Sequence, residues 1–432
     1  MPVFLRTIDP GFPDAFARLI ARRGNDGDVD AAVAAIIADV RARGDAALVE
    51  LTERFDRLRL TPATLRVPEA EIDALTAAVP DAEREALAFA ADRIRAFHER
   101  QRPRDESWTD EAGATLGWRW TAVEAAGLYV PGGTASYPSS VLMNAIPAKV
   151  AGVRRLAVTV PAPDGVLSPL VLLACRLAGV DEVFRVGGAQ AIAALAFGTE
   201  TIRPVHKVTG PGNAYVAAAK RQVFGRVGID MVAGPSEVLV IADRDQDPDW
   251  VALDLLAQAE HDAAAQSILV TDDEAFGRAV AAAVERIVPT LPRAAIAGAS
   301  WRDHGAVVVA RDLPEAAAIA DRVAPEHLEL LVADPEALAA RIAHAGALFL
   351  GPWTPEAIGD YVGGPNHVLP TAGTARFSSG LSVLDFLKRT TVARLTPGAL
   401  AALGPAAELL AMAEGLDAHA LSVRARLDRA NG

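Results

Sequence analysis

Arg155-Leu-Ala-Val-Thr-Val160, Glu182-Val-Phe-Arg-Val186, Gly187-Gly-Ala-Gln-Ala191 and Val205-His-Lys-Val208, running into Gly210-Pro-Gly-Asn213, decide the fold of this chain. Short runs that are apolar on both faces alternate with helical segments and close in glycine turns, with a helix expected over 168–177 between the first two. Strands of that kind lie in a parallel sheet covered by helices on both sides. Working outward, a second set follows in Glu237-Val-Leu-Val-Ile-Ala242, Ser267-Ile-Leu-Val-Thr271, Ala306-Val-Val-Val309, Leu328-Glu-Leu-Leu-Val332 and Ala347-Leu-Phe-Leu350. Helical segments separate these runs as well.

The expected class is α/β, with two Rossmann-like doubly wound α/β units and small helical N-terminal and C-terminal extensions. Residues 1–24 form the first extension, cut off by Gly24–Gly27. Residues 25–128 group with 237–380 as one α/β domain, residues 129–236 form the other, and 381–432 are a helical tail. Residues 28–102 read as helical throughout, with Pro103 as the stop, and 118–123 and 126–130 read as strands.

The 432 residues are 51% hydrophobic, enough for more than one core. A net charge of −13 with no basic run argues against nucleic acid or an anionic membrane as partner. The opening Met-Pro-Val-Phe-Leu-Arg lacks a signal peptide's basic and apolar regions. No apolar run approaches the roughly 20 residues of a membrane span. Cys175 is the only cysteine, so no internal disulfide can form, and a cytoplasmic protein is expected. Set in Leu172-Leu-Ala-Cys-Arg-Leu-Ala178, it reads as core rather than nucleophile.

Several catalytic signatures are absent, among them His-Glu-x-x-His, Cys-x-x-Cys and Gly-x-Ser-x-Gly. Lys149, Lys207, Lys220 and Lys388 are each followed by Val or Arg, which excludes a P-loop. Gly210-Pro-Gly-Asn-Ala-Tyr215 is a near miss for the dinucleotide fingerprint, with Tyr in place of the third Gly. Tyr129, Gln190 and Asn213 all fall where strands end, the side on which open parallel sheets bind ligands. Asp254-Leu-Leu-Ala-Gln-Ala-Glu-His-Asp262 reads as a helix with Gln258 and His261 neighbours on one face, a pair that can begin a metal site. Ser236 precedes a strand, and the adjacent Glu326 and His327 must point in different directions. Asp360 and His367 sit in a glycine-rich loop, and Glu414 and His419 in the tail. Taken singly, each reads as a cap, a solvated loop or an exposed helix residue. Their joint occurrence is what carries weight.

Tyr129-Val-Pro-Gly-Gly, Gly187-Gly-Ala-Gln-Ala, Gly210-Pro-Gly-Asn-Ala, Ala233-Gly-Pro-Ser-Glu-Val-Leu-Val-Ile-Ala-Asp243, Gln258-Ala-Glu-His261, Pro325-Glu-His-Leu-Glu329, Asn366-His-Val-Leu-Pro-Thr371 and the tail 414–419 occur in this order. Together they resemble the histidinol dehydrogenase family, from about residue 25 to the C-terminus. The resemblance implies a zinc enzyme that oxidises L-histidinol to L-histidine through L-histidinal, reducing two NAD. It implies one zinc per subunit, held by Gln258, His261, Asp360 and His419. Implied substrate contacts are Ser236, Gln258, His261, His327, Asp360, His367, Glu414 and His419, and implied NAD contacts are Tyr129, Gln190 and Asn213. His327 would be the general base and Glu326 the group that activates water to hydrate the aldehyde. The resemblance also implies a homodimer in which the tail completes the neighbour's site. Pro365 stiffens the loop before His367. The alternatives are a paralogous dehydrogenase of polyols or sulfonated diols, a zinc hydrolase, and a non-enzymatic metal or nucleotide sensor.

Overall fold

A computed structural model describes residues 2–21, 29–131, 137–232 and 234–431. Gly132, Gly133, Ala233 and the Gly24–Gly27 break lie outside the described residues.

Two parallel sheets form the body. The five-stranded sheet has the spatial order Glu182–Phe184, Arg155–Thr159, Ala125–Tyr129, Lys207–Thr209, Gly228–Ile229. Its strand order reverses between Ala125–Tyr129 and Lys207–Thr209, which pair in parallel, and ligands bind at such a switch point. The six-stranded sheet has the order Val3–Arg6, Ala306–Val309, Gln266–Thr271, Glu237–Ala242, His327–Leu331, Ala347–Leu350. All five of its pairings are parallel. Both the central strand Glu237–Ala242 and its neighbour His327–Leu331 are buried along their full length, as sheets covered on both faces require. The class is thus the α/β arrangement expected.

Among the described residues four cores follow from this layering, two against each sheet. Phe16, Leu19 and Ile319 fill one side of the six-stranded sheet with Leu239 and Ile268. Leu255, Leu256 and Trp301 fill the other with Val240 and Leu269.

Three segments differ from the sequence grouping. Val3–Arg6 is an edge strand on Ala306–Val309, so the first residues are built into a sheet rather than forming a purely helical extension. The helices within 30–99 pack on the five-stranded sheet: Val33, Ile37 and Leu48 join the core of Ile192 and Leu195, and Ala91 and Ile94 that of Leu142 and Leu172. That places them with 125–229 rather than with 237–380. Finally, Leu387–Arg394 is a strand, antiparallel to Thr115–Ala122, which also pairs with Glu106–Thr109. The tail therefore passes through a 3-10 helix at Val383–Phe386 and this small sheet before the α-helices Pro397–Ala413 and Asp417–Asn431.

Candidate active site

A cleft of about 640 Å³ opens between the two sheets. On one side lie the carboxyl ends of the five-stranded sheet, and on the other the amino ends of the six-stranded sheet.

On the first side, Tyr129 closes its strand and Gly210-Pro-Gly-Asn213 leaves the neighbouring one; Tyr129 and all four loop residues line the cleft. Gly210 has φ +117°, and a Cβ there would meet the Tyr129 carbonyl oxygen at 2.1 Å. Only glycine fits so close an approach in that conformation. Asn213 caps the helix Ala214–Val223, its Oδ1 accepting from the Tyr215 and Val216 amides at 3.1 and 3.2 Å. With the oxygen committed, its NH2 is what it can offer a ligand. Tyr129 is buried, its hydroxyl accepting from the Gly188 amide at 3.2 Å. Burial pushes that phenol's pKa up. Gln190 is buried beside Gly188 on the helix Gly188–Phe197 and is absent from the cleft lining.

The second side carries Ser236, Gln258, His261, Glu326, His327, Asp360 and His367. Gln258 lies in the last turn of the helix Pro248–Ala259 and His261 just past its end, so they meet through a turn rather than along a helix face. Glu326 and His327 follow Ala324, which takes the left-handed conformation (φ 49°) as the helix Leu313–Val323 stops. A non-glycine residue held there stores strain, which is commonest beside functional residues. Glu326 accepts the Glu237 amide at 2.9 Å, and His327 Nδ1 lies 3.0 Å from the Glu237 carbonyl oxygen. A carbonyl only accepts, which assigns the proton to Nδ1 and leaves Nε2 as the basic nitrogen. That Nε2 is buried and makes no hydrogen bond among the described residues. Burial is the main reason the His327 pKa is pushed down to about 4, with Asp360 opposing. His367 is lowered too, chiefly by burial, and its Nδ1 contacts the Asp360 carbonyl at 3.1 Å.

Beneath these groups lies an acid layer that the motifs did not reveal. Glu356 and Glu329 are buried, and burial raises both carboxyls well above the usual range, with Asp360 adding to the first and Asp254 to the second. Asp254 is pushed up to about 6 by burial. Gln258 sits against this layer. With its NH2 turned towards acceptors, it donates to the Glu237 carbonyl at 3.2 Å and to Glu356 Oε1 at 3.3 Å. His327, Glu356 and Asp360 each present a ligand atom within 4.8 Å of the others. Glu329 was the visible clue, an acid in the fully buried strand His327-Leu-Glu-Leu-Leu331.

His98 supports the loop of His367 from behind. Its Nδ1 lies 2.7 Å from the Ile94 carbonyl, and its Nε2 lies 3.2 Å from Asn366 Nδ2. Glu414 and His419 are exposed on the tail and do not line the cleft.

The donors suit a cation. Amide oxygen, imidazole nitrogen and carboxylate oxygen from Gln258, His261 and Asp360 are ligand types that zinc accepts. Glycine turns at a switch point face imidazoles and acids across one cleft, an arrangement that suits a nucleotide-dependent dehydrogenase. The histidinol dehydrogenase family model matches residues 20–427. The chain is 73% identical to the histidinol dehydrogenase of Cereibacter sphaeroides and 71% to that of Ruegeria pomeroyi, over 100% of this chain and of each relative. Its structure matches the crystal structure of histidinol dehydrogenase from Elizabethkingia anophelis with a TM-score of 0.95 and 37% identity, covering 100% of this chain and 99% of that one. The chain belongs to the histidinol dehydrogenase family and is an NAD-dependent oxidoreductase.

Proposed function

We propose that this chain oxidises L-histidinol to L-histidine through L-histidinal, with zinc bound and two NAD reduced, as the last step of histidine biosynthesis in the cytoplasm. The observation that carries the reading is His327: buried in the cleft wall, its pKa pushed down by burial, its Nδ1 3.0 Å from the Glu237 carbonyl and its Nε2 without a hydrogen bond among the described residues.

Gln258, His261 and Asp360 would hold the zinc, which supplies charge that fixes the imidazole and amine of the substrate. Asp360 also belongs to the close trio with His327 and Glu356. His327 is kept out of the ligand set here because its Nδ1 is engaged and its Nε2 has the proton to take. NAD would lie on the Tyr129 and Gly210–Asn213 side, with Gln190 supporting that wall from within, and would accept hydride. In the first oxidation His327 Nε2 removes the hydroxyl proton as hydride departs from the carbinol carbon. The aldehyde then adds water: Glu326 takes the proton of that water, and its oxygen bonds to the carbonyl carbon. The hydrate loses its second hydride and a hydroxyl proton, giving the acid. In sum, one alcohol, one water and two NAD⁺ become one carboxylate, two NADH and three protons. A cysteine thiohemiacetal is not needed, since the only thiol, Cys175, is buried away from the cleft.

Ser236 and His367 would bind substrate from the same wall. Glu414 and His419 would complete the site of a second copy in a homodimer. Supporting this, the tail helices pack on each other while leaving Leu409, Leu410, Met412 and Leu421 exposed, and the cleft of one chain contains three of the four candidate zinc ligands.

The test is NADH formed per L-histidinol consumed, before and after chelation and zinc re-addition. The expected result is two per substrate, lost on chelation and restored by zinc. One NADH would instead indicate a dehydrogenase that stops at the carbonyl, and none would favour a hydrolase or sensor.

A further inference from the structure

Lys220 and Asp230 form a buried ion pair inside the five-stranded sheet's half of the molecule, their side chains 2% and 1% exposed. Both line the cleft, and neither has a place in the chemistry described above. They share one target. Lys220 Nζ donates to the Gly210 carbonyl oxygen at 3.0 Å, and Asp230 Oδ2 accepts the Gly210 amide at 2.8 Å.

We propose that the Lys220–Asp230 pair is a positioning device for the cofactor: by gripping both the N–H and the C=O of Gly210, it sets where the Gly210–Asn213 loop meets NAD. The proposal rests on the reading of that loop as the NAD site.

The physical case begins with cost. Two charges removed from water are a poor source of stability, and well-packed apolar residues of similar volume commonly do as well or better. What an apolar pair cannot do is hold a peptide by its donor and its acceptor together. Gly210 needs that hold. It lies at the switch point with φ +117°, pressed against the Tyr129 carbonyl, a conformation that the local chain does not favour by itself. The far end of the loop is already fixed, because Asn213 caps the helix that carries Lys220. Between these anchors only Pro211 and Gly212 remain, and a Cβ on Gly212 would strike Val216 at 2.5 Å. Since the Lys220 charge is balanced by Asp230, the pair acts through geometry rather than by attracting phosphate.

The experiment uses full-length zinc-loaded enzyme and compares wild type, N213A and K220M/D230L. The double substitution removes both charges together, avoiding one stranded charge. KM for NAD and for L-histidinol, NADH binding by fluorescence and zinc content are measured for each. For K220M/D230L, KM for NAD rises about tenfold or more, KM for L-histidinol stays within about twofold, and zinc content is unchanged. An unchanged KM for NAD in K220M/D230L, with N213A raised, would overturn the positioning role and leave the NAD site standing. If N213A itself leaves NAD binding unaltered, the loop reading fails and the proposal falls with it. Hydrogen exchange over residues 208–216 of the wild type decides the matter even where the double variant does not fold. Slow exchange without NADH is expected, whereas fast exchange that NADH suppresses would show that the cofactor orders the loop and the pair does not.

Discussion

The five-stranded sheet meets the cleft with the carboxyl ends of its strands, the six-stranded sheet with the amino ends, and this difference in direction gives the two edges different electrostatics. After a strand's carboxyl end a helix begins, so the first edge presents helix starts such as that of Ala214–Val223 behind Asn213. Helix N-termini carry partial positive charge and free amides, which suit the phosphates of a dinucleotide. Before a strand's amino end a helix finishes. The second edge therefore presents helix ends, that of Pro248–Ala259 at Gln258 and that of Leu313–Val323 ahead of Glu326. Helix C-termini favour cations, which fits a metal ion and a protonated amine. The edges also differ in what builds them. The first relies on backbone, with glycines where side chains would collide; the second relies on side chains, with imidazoles above buried acids.

If that division is right, lesions on the two edges separate in kinetics. The largest effect is expected at His327. H327N should lower kcat by roughly 10²- to 10⁴-fold, the usual worth of a general base, and leave KM for NAD near wild type. E326Q should release the first NADH and stall before the second. Single-turnover NADH yield distinguishes them, and equal loss of both half-reactions in E326Q would refute the role given to Glu326.

An intermediate effect is expected from G210A on the opposite edge. The added Cβ would lie 2.1 Å from the Tyr129 carbonyl. Relieving the contact should cost on the order of 1–3 kcal/mol, read by denaturant unfolding. KM for NAD should rise while KM for L-histidinol holds. A rise in the histidinol constant instead would mean that the edges are not separable.

A last effect, on stability alone, concerns the acid layer. Burial raises Asp254 to about 6, above an unfolded value of about 3.9. Between those values the folded chain holds the extra proton, so the stability tied to this group is intact below about pH 4 and lost as pH rises through about 6. D254N should therefore match wild type in stability at pH 4 and exceed it at pH 8 by on the order of 3 kcal/mol. Urea unfolding at the two pH values checks this. A gain at pH 4 as large as that at pH 8 would show that proton binding is not the cause.

The loops were the legible part of the sequence. Gly210-Pro-Gly-Asn213, Gln258, His261, Glu326 and His327 belong to short polar or glycine-bearing segments interrupting apolar runs, and the structure brings all of them to one cleft. Apart from Glu329, the acid layer was hidden, as was the Lys220–Asp230 pair, because a buried charge is defined by neighbours distant in the chain. Lys220 meets Asp230 across the turn between a helix and an edge strand, and Glu356 meets Gln258 from a separate helix. The missed strands have simpler reasons. Val3–Arg6 is four residues long. Leu387–Arg394 is exposed along nearly its whole length, so it lacks the apolar alternation that marks a half-buried strand. The helices within 30–99 show an apolar face but not which sheet receives it.

The inert Cys175 has a practical consequence. Its thiol is buried and raised to about 12, and only the thiolate attacks labelling reagents. The native chain is therefore nearly blank to maleimides at neutral pH, and an introduced cysteine becomes the one reactive handle. Tyr215 beyond the glycine loop and Ile358 beside the acid layer are exposed, at 44% and 45%. A dye or spin label at each, in Y215C/I358C, would turn the width of the cleft into a distance that can be followed through turnover.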